Sequence, residues 1–273
     1  MKDGLSLLWR LTLLSKDSIT EIPPSYLLGT MHSASHEALY HVPLIKPYIS
    51  ACTHYFGETN LDSILNNAPL LFNSLEWTGL QSVLSKSTYS KSAFLLSNKY
   101  NIHLDGLTHL PPMMISAIIS EALLGVHQST IYTGALDQQL WNFAKLSNAY
   151  VDGIESAAEQ EIIYKKIPIK FQVAQLIKLL THISKSRKAI QAIATAYKKN
   201  DLLSIFHLSK KSLGPVRKIL LHDRNNVMTG RIIQHLNNNE SNFVSVGAAH
   251  LPGSKGILRL LKIKGIKLEA ITL

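Results

Sequence analysis

One cysteine in 273 residues, Cys52, excludes an intramolecular disulfide and any zinc cage built from cysteines. No run of 18 or more apolar residues is present, so a membrane-spanning helix is not expected. The N-terminus, Met1 to Leu14, breaks its short apolar runs with Lys2, Asp3 and Arg10. It has neither the unbroken apolar core nor the small-residue cleavage site of a secretory leader. A cytoplasmic protein is therefore expected, unless a leader has been removed. Several chemical signatures are also missing. Without Gly-x-Ser-x-Gly an α/β-hydrolase serine is not expected. Without a P-loop or Gly-x-Gly-x-x-Gly after a strand, nucleotide and dinucleotide cofactors are not expected either. His-Glu-x-x-His is absent too, which excludes a zincin helix.

Charge is scarce as well. Charged residues make up 17% of the chain, against about 25% in ordinary globular proteins. Apolar residues make up 46%, enough buried surface to offset the entropy of ordering. At about 150 residues per domain, the length suits one large domain or a core with an appended subdomain. The net charge of +10 is unevenly placed. Residues 1–160 hold 8 Lys+Arg and 13 Asp+Glu, whereas residues 161–273 hold 20 and 5. A basic half can signal nucleic acid or an anionic membrane. Here the lysines fall in scattered pairs, such as Lys165-Lys166 and Lys198-Lys199, at the spacing of solvated helix faces. No aromatic residues interleave with them to stack bases, which argues against a nucleic-acid partner.

Leu7–Leu14 and Tyr26–Gly29 read as strands, separated by a polar stretch ending in Pro23-Pro24. His54–Leu61, Asn101–Leu107 and Ala149–Ile154 read as further strands. Glu37–Ser50, Met113–Leu124 and Leu136–Leu146 read as helices, and Ser63–Lys99 as helical in pieces, with Ile64, Leu65, Leu70, Leu71 and Leu75 in its first part. From Ser156 to Leu221 strand signals stop, and apolar residues such as Val173, Leu176, Ile177 and Leu180 repeat at helical spacing. A helix over Asp223–Leu236, a strand over Asn242–Val246, a helix over Lys255–Lys264 and a closing strand over Ile266–Leu273 follow. Strands alternating with helices at both ends predict an α/β fold. The expected architecture is a central mixed, largely parallel sheet flanked by helices, with an inserted helical subdomain. Residues 1–155 and 222–273 would form the core, and 156–221 the insert or lid.

Ligands of open α/β sheets bind beyond the carboxyl ends of the strands. Four polar elements fall at such ends: Gly29-Thr-Met-His32, Gly57-Glu58-Thr-Asn60, Gly153-Ile-Glu155 and Gly247-Ala-Ala-His250. A lone Gly-x-x-His is common by chance, and a lone Glu after a strand usually favours a helix N-terminus. Four together point further. Two histidines with one or two carboxylates are the ligand set of a catalytic metal site with an open position. Tyr26-Leu-Leu-Gly-Thr-Met-His32 and Phe243-Val-Ser-Val-Gly-Ala-Ala-His250 also echo each other, as strand, Gly-x-x-His and helix, and so suggest related halves of one sheet.

Leu8-Trp9-Arg10, the two Gly-x-x-His elements, Phe56-Gly-Glu58, Gly153-Ile-Glu155, Asp223-Arg224-Asn225 with Met228, and Val246-Gly-Ala-Ala-His-Leu-Pro-Gly253 together resemble the TraB/PrgY/GumN family. That family includes the Tiki proteases and is similar to the erythromycin-esterase and ChaN-like group. The resemblance spans nearly the whole chain, although the helical middle matches only in being helical. It departs in lacking a visible leader or anchor, and in placing Ala249 where a second glycine often stands. It implies a divalent-metal-dependent hydrolase, peptidase-like, with manganese or cobalt favoured over zinc and a peptide or small molecule as substrate. His32 and His250 would be metal ligands, and Glu58 a third ligand or the general base. Glu155 would be a second acid, and Arg224 would steady an anion or the developing oxyanion. A protein that sequesters a peptide or small ligand in the same cleft without turnover is the alternative. All four strand-end side chains should line one cleft, with Arg224 facing it.

Overall fold

The computed structural model describes residues 6–13, 24–63, 79–108, 110–126, 134–238 and 240–273. Six strands form one sheet: β1 (Leu8–Leu13), β2 (Ser25–Thr30), β3 (His54–Thr59), β4 (Tyr150–Glu155), β5 (Asn242–Gly247) and β6 (Ile266–Ile271). Their spatial order is β4-β3-β5-β2-β1-β6. Neighbours from β4 through β2 pair in parallel, while β1 is antiparallel to both β2 and β6. This is the mixed, largely parallel α/β sheet expected. Strand β2 is buried throughout and β5 nearly so, as required of parallel strands covered on both faces.

The labelled helices are α1 (Val42–Ser50), α2 (Lys86–Tyr100), α3 (Pro112–Leu123), α4 (Leu136–Leu146), α5 (Ala157–Lys165), α6 (Ile169–Thr181), α7 (Ile183–Lys198), α8 (Leu202–Leu213), α9 (Asp223–Leu236) and α10 (Ile257–Ile263). Alternation along β3 assigns them to faces. Tyr55 packs edge-on against Trp141 of α4, whereas its neighbour Phe56 stacks on His235 of α9. Glu58 shares the parity of Phe56 and so belongs to the α9 side. Gly57 and Thr59 share the parity of Tyr55. The main apolar core joins both faces, with Trp141 and Ile45 in one layer and Met228 and Ile232 in the other.

A second apolar cluster is built mainly from helices. It unites Leu96 of α2 and Ile115, Ile119 and Leu123 of α3 with Leu176 and Leu180 of α6. The helical segment expected over 156–221 thus divides: α6 shares a core with helices from 86–123, while Ala196 and Tyr197 of α7 and Leu202 and Ile205 of α8 join the main core of the sheet. Asn101–Leu107, expected as a strand, instead holds a 3₁₀ turn over Leu104–Leu107. Asn101 ends α2 in the left-handed conformation, at φ 51°, and Ile102, Leu104 and Leu107 turn into the helical cluster. The helical expectation for residues 64–78 lies outside the described residues.

Parallel pairing also explains the internal echo. Strands β2 and β5 are neighbours, with Gly29 opposite Val246 and Thr30 opposite Gly247. Both Gly-x-x-His elements therefore leave the sheet side by side. Gly29 is required by close approach, since a Cβ there would lie 2.9 Å from the Ala248 Cα in the turn that carries His250. Gly153 is more tightly constrained, because its Cβ would lie 2.3 Å from the Asn60 backbone nitrogen. No described helix is long and apolar enough to cross a membrane.

Candidate active site at the strand ends

The five expected residues meet at the carboxyl end of the parallel strands. His32 lies two residues beyond β2, Glu58 is next to last in β3, and Glu155 ends β4. His250 closes a 3₁₀ turn after β5, and Arg224 is the second residue of α9. A methyl group placed on Gly247 would sit 3.4 Å from Glu58 Oε2, 3.5 Å from His250 Cδ2 and 3.5 Å from His32 Nε2. Three side chains from three strands thus converge on one point. The imidazoles share one end of the sheet, and twice that distance is the most that separates those two ring atoms.

Arg224 is the hub. Its Nε donates to both oxygens of Glu155 at 3.0 Å, and Nη2 donates to Glu155 Oε2 and Glu58 Oε1. Its Nη1 reaches the Leu220 carbonyl at 3.3 Å and His250 Nε2 at 3.4 Å. A guanidinium has five N–H donors, and here each finds an acceptor in the protein. To steady an anion, the role implied for it, Arg224 must give up one of these contacts. Leu220 lies in a π-helical turn, Lys218–His222, which leads directly into α9.

Each histidine is fixed through its Nδ1. Asn225 Nδ2 donates to the carbonyls of His250 and Lys255, at 3.2 and 2.7 Å, so its Oδ1 must be the atom 2.6 Å from His250 Nδ1. His250 therefore carries its proton on Nδ1, and its Nε2 lone pair accepts from Arg224 Nη1. His32 Nδ1 lies 2.7 Å from Asp137 Oδ2, and Thr30 Oγ1 donates to Asp137 Oδ1 at 2.7 Å. His32 Nε2 is then turned to Glu58 Oε2, 3.7 Å away. The loop after His32 is pinned by the buried Glu121 of α3, which accepts from Ser33 Oγ and the Ala34 N–H. Glu58 Oε2 also accepts from the Gly247 N–H at 2.9 Å.

These surroundings split the two imidazoles. The Asp137 carboxylate raises the His32 pKa well above its ordinary value, with Glu58 adding to it, although the ring is partly desolvated on its protein side and exposed on the other. Burial is the largest influence on His250 and, with Arg224 and His32, lowers it to about 4 against the pull of Glu58. Burial is also the largest influence on Glu58 and favours its neutral form. The Arg224 charge, helped by His32 and His250, outweighs burial and holds the carboxyl well below the usual range. At neutral pH the site therefore combines an imidazolium, a neutral imidazole and an ionised carboxylate.

The side chains fit a divalent ion in donor type and in anchoring. Ligating histidines characteristically have one nitrogen held by a carboxylate, amide or carbonyl so that the other is aimed at the metal. Both imidazoles are held at Nδ1 in this way; His32 Nε2 faces Glu58 Oε2, while His250 Nε2 lies against Arg224 Nη1 and would have to be released to bind an ion. Among the described residues, no three His, Cys, Asp or Glu side chains stand at metal-holding spacing as placed. Glu155 is committed to Arg224 through both oxygens and is 3% exposed, so it belongs to the buried charge clamp.

A cavity of about 420 Å³ opens beside His32 and Glu58. Tyr55, Thr59 and Trp141 line it, with Gln160 and Tyr164 contributed by α5. Of the segment expected as a lid, α5 is the helix that lines this cavity. Its placement is local chemistry: Ser156 and Glu159 form a reciprocal capping box, and Arg231 of α9 clamps Glu159. Sequence reasoning missed Asp137, Glu121 and Thr59. Asp137 sits one residue inside a helix, where an acid is ordinarily read as favouring the helix dipole. Ser-x-x-Glu at 156–159 was the available signal for where α5 begins.

A largely parallel α/β sheet with a His, Glu and Arg centre at its strand ends defines the class of protein. The sequence model of the TraB/PrgY/gumN family matches residues 7–270, and the chain belongs to that family. No curated protein and no solved structure matches it.

The Asn225 contact gives a direct test. Nitrogen chemical shifts of His250 should report the Nδ1–H tautomer alone, and Asn225→Ala should convert it to a mixture of tautomers. A parent protein with the proton on Nε2 would overturn the assignment.

Proposed function

We propose that this chain hydrolyses a peptide or amide bond with a divalent metal ion, manganese or cobalt before zinc, held by His32 and His250, with Glu58 beside them as the general base rather than a third ligand. The observation that supports the reading is the shared anchoring of the two imidazoles at Nδ1, with His32 Nε2 turned toward Glu58 and the His250 ring edge lying beside the same Gly247 position. When bound, such an ion polarises a carbonyl and lowers the pKa of its water toward about 7. The chain's own residues do the rest. Asp137 and Asn225 fix the ring orientations, and Arg224 keeps Glu58 ionised. Glu58 Oε2 is the carboxylate oxygen that holds a proton during turnover, and the cavity beside it receives the substrate.

Elemental analysis of protein purified without chelator tests this. The parent should carry a near-stoichiometric divalent ion, and the His32→Ala, His250→Ala double variant should carry none while remaining folded. Loading should improve as pH rises, because the Asp137 carboxylate favours the His32 imidazolium, whose Nε2 proton must leave before a metal binds there. A parent that binds neither Mn²⁺ nor Co²⁺ at any pH would sink the reading.

One observation favours a second reading, a protein that sequesters a peptide or small ligand without turnover. Every donor of Arg224 is engaged within the protein, so none is free for an oxyanion. Tight ligand binding by a metal-loaded chain that produces no product would select it.

A further inference from the structure

We propose that the pocket between α8 and the loop 252–256 binds a compact oxyanion of the phosphate class, as free phosphate or as the phosphate end of a small monoester. The inference is independent of the hydrolase reading, because this pocket shares no lining residue with the cavity beside His32.

Three separate segments bring cations to it. Lys210 comes from α8, Arg217 from the position before the π-helical turn, and Lys255 from the loop leading into α10. Lys210 and Lys255 are exposed and Arg217 is half-buried, so each is within reach of a ligand. None of the three has an acidic partner among the described residues. The neighbouring acid, Asp223, is already taken by Lys218, whose Nζ donates to both of its oxygens at 3.1 Å. His222 lines the same pocket and registers the excess. Burial and then the Arg217 charge, with Lys255 and Lys218 adding to them, lower its pKa against the pull of Asp223. Lysines spread along a solvated helix face do not converge in this way.

The floor of the pocket is fixed. Asn225, 2% exposed, donates from Nδ2 to the Lys255 carbonyl at 2.7 Å, and the Gly256 N–H donates to the Gly253 carbonyl at 3.0 Å. The N–H groups of Ser254 and Lys255 have no acceptor among the described residues and add neutral donors beside the cations. Phe206, Leu221 and Pro252 supply apolar wall. Charge of one sign in a cleft with low-dielectric walls focuses its field on an entering anion.

Size and charge together select the ligand. At about 100 Å³ the pocket falls well below the roughly 300–1,000 Å³ of ordinary small-ligand sites, so it takes a headgroup and not a nucleoside. A phosphate monoester carries about 1.5 to 2 negative charges at pH 7 and three strong acceptor oxygens. That matches several unpaired cations, where the single charge of a carboxylate does not.

The test is titration of the full chain with inorganic phosphate and with glycerol phosphate, read by calorimetry, beside sodium chloride at matched ionic strength. Phosphate should raise the melting temperature of the parent, as any ligand of the folded state does. The Arg217→Gln, Lys255→Gln double variant should bind phosphate at least about tenfold more weakly, the loss expected when charge-assisted hydrogen bonds are removed. Without phosphate that variant should melt at the parent's temperature or higher, because it removes like charges that repel each other. His32→Ala should bind phosphate as the parent does, which separates this pocket from the strand-end site. A monoester at least about tenfold tighter than phosphate identifies the headgroup of a larger molecule as the ligand, and equal affinity identifies free phosphate. Stabilisation reproduced by chloride, unchanged binding in the double variant, or binding lost in His32→Ala would overturn the pocket.

Discussion

Replacing Arg224 with methionine should lower stability at neutral pH by about 3–5 kcal/mol, the loss seen when one partner of a buried ion pair is removed. Arg224 is 8% exposed and joins Glu58 and Glu155, from two adjacent strands, through one guanidinium. Methionine keeps much of the volume but leaves two carboxylates facing each other in a dry site. The pH dependence follows from Glu58. In the parent its carboxyl titrates well below the ordinary range, so it contributes stability above that range and loses it as pH falls through the depressed value. In the variant the unpaired Glu58 is protonated more readily. The deficit should therefore be greatest near neutrality and shrink on acidification. Pairing Arg224→Met with Glu58→Gln and Glu155→Gln should recover a large part of the loss. A neutral-pH melting temperature unchanged by Arg224→Met would show that the clamp carries no net stability.

Glu58→Gln should reduce turnover by about 10²-fold or more, the ordinary contribution of a positioned general base. The substitution is nearly isosteric, and an amide oxygen can still accept from the Gly247 N–H. It removes the charge beside His32 Nε2 and the acceptor capacity that holds a proton. Fold and metal content should change little, because His32 and His250 keep their own anchors at Asp137 and Asn225. Single-turnover rates beside elemental analysis check this. Loss of the metal together with the rate would make Glu58 a ligand. Glu155 could then serve as the base only by releasing Arg224, which holds both of its oxygens.

The sequence by itself determined the alternation of strands and helices, and with it the α/β class. Hydrophobic periodicity is local, so Asp223–Leu236 could be read as one helix, matching α9. It placed β3 and β5 almost as closely, because their apolar runs end in glycine. The strand-end positions of His32, Glu58, Glu155 and His250 were legible for the same reason, as each belongs to a short motif of turn and polar residue. Asn101–Leu107 was misread because a few apolar residues look alike in a strand and in a turn packed against helices.

Tertiary structure decided the rest, since it depends on contacts between residues far apart in the chain. Strand order put β5 between β3 and β2, and only that order brings His250 to Glu58 and His32. Asp137 lies 105 residues from His32, and Arg224 lies 166 from Glu58. No spacing rule links such positions, because their separation is set by the helices between the strands. The protonation states of the two histidines follow from those distant neighbours. A carboxylate on α4 raises one pKa, and burial with the Arg224 charge lowers the other. A Gly-x-x-His motif fixes where an imidazole stands, and the packing around it fixes what that imidazole can do.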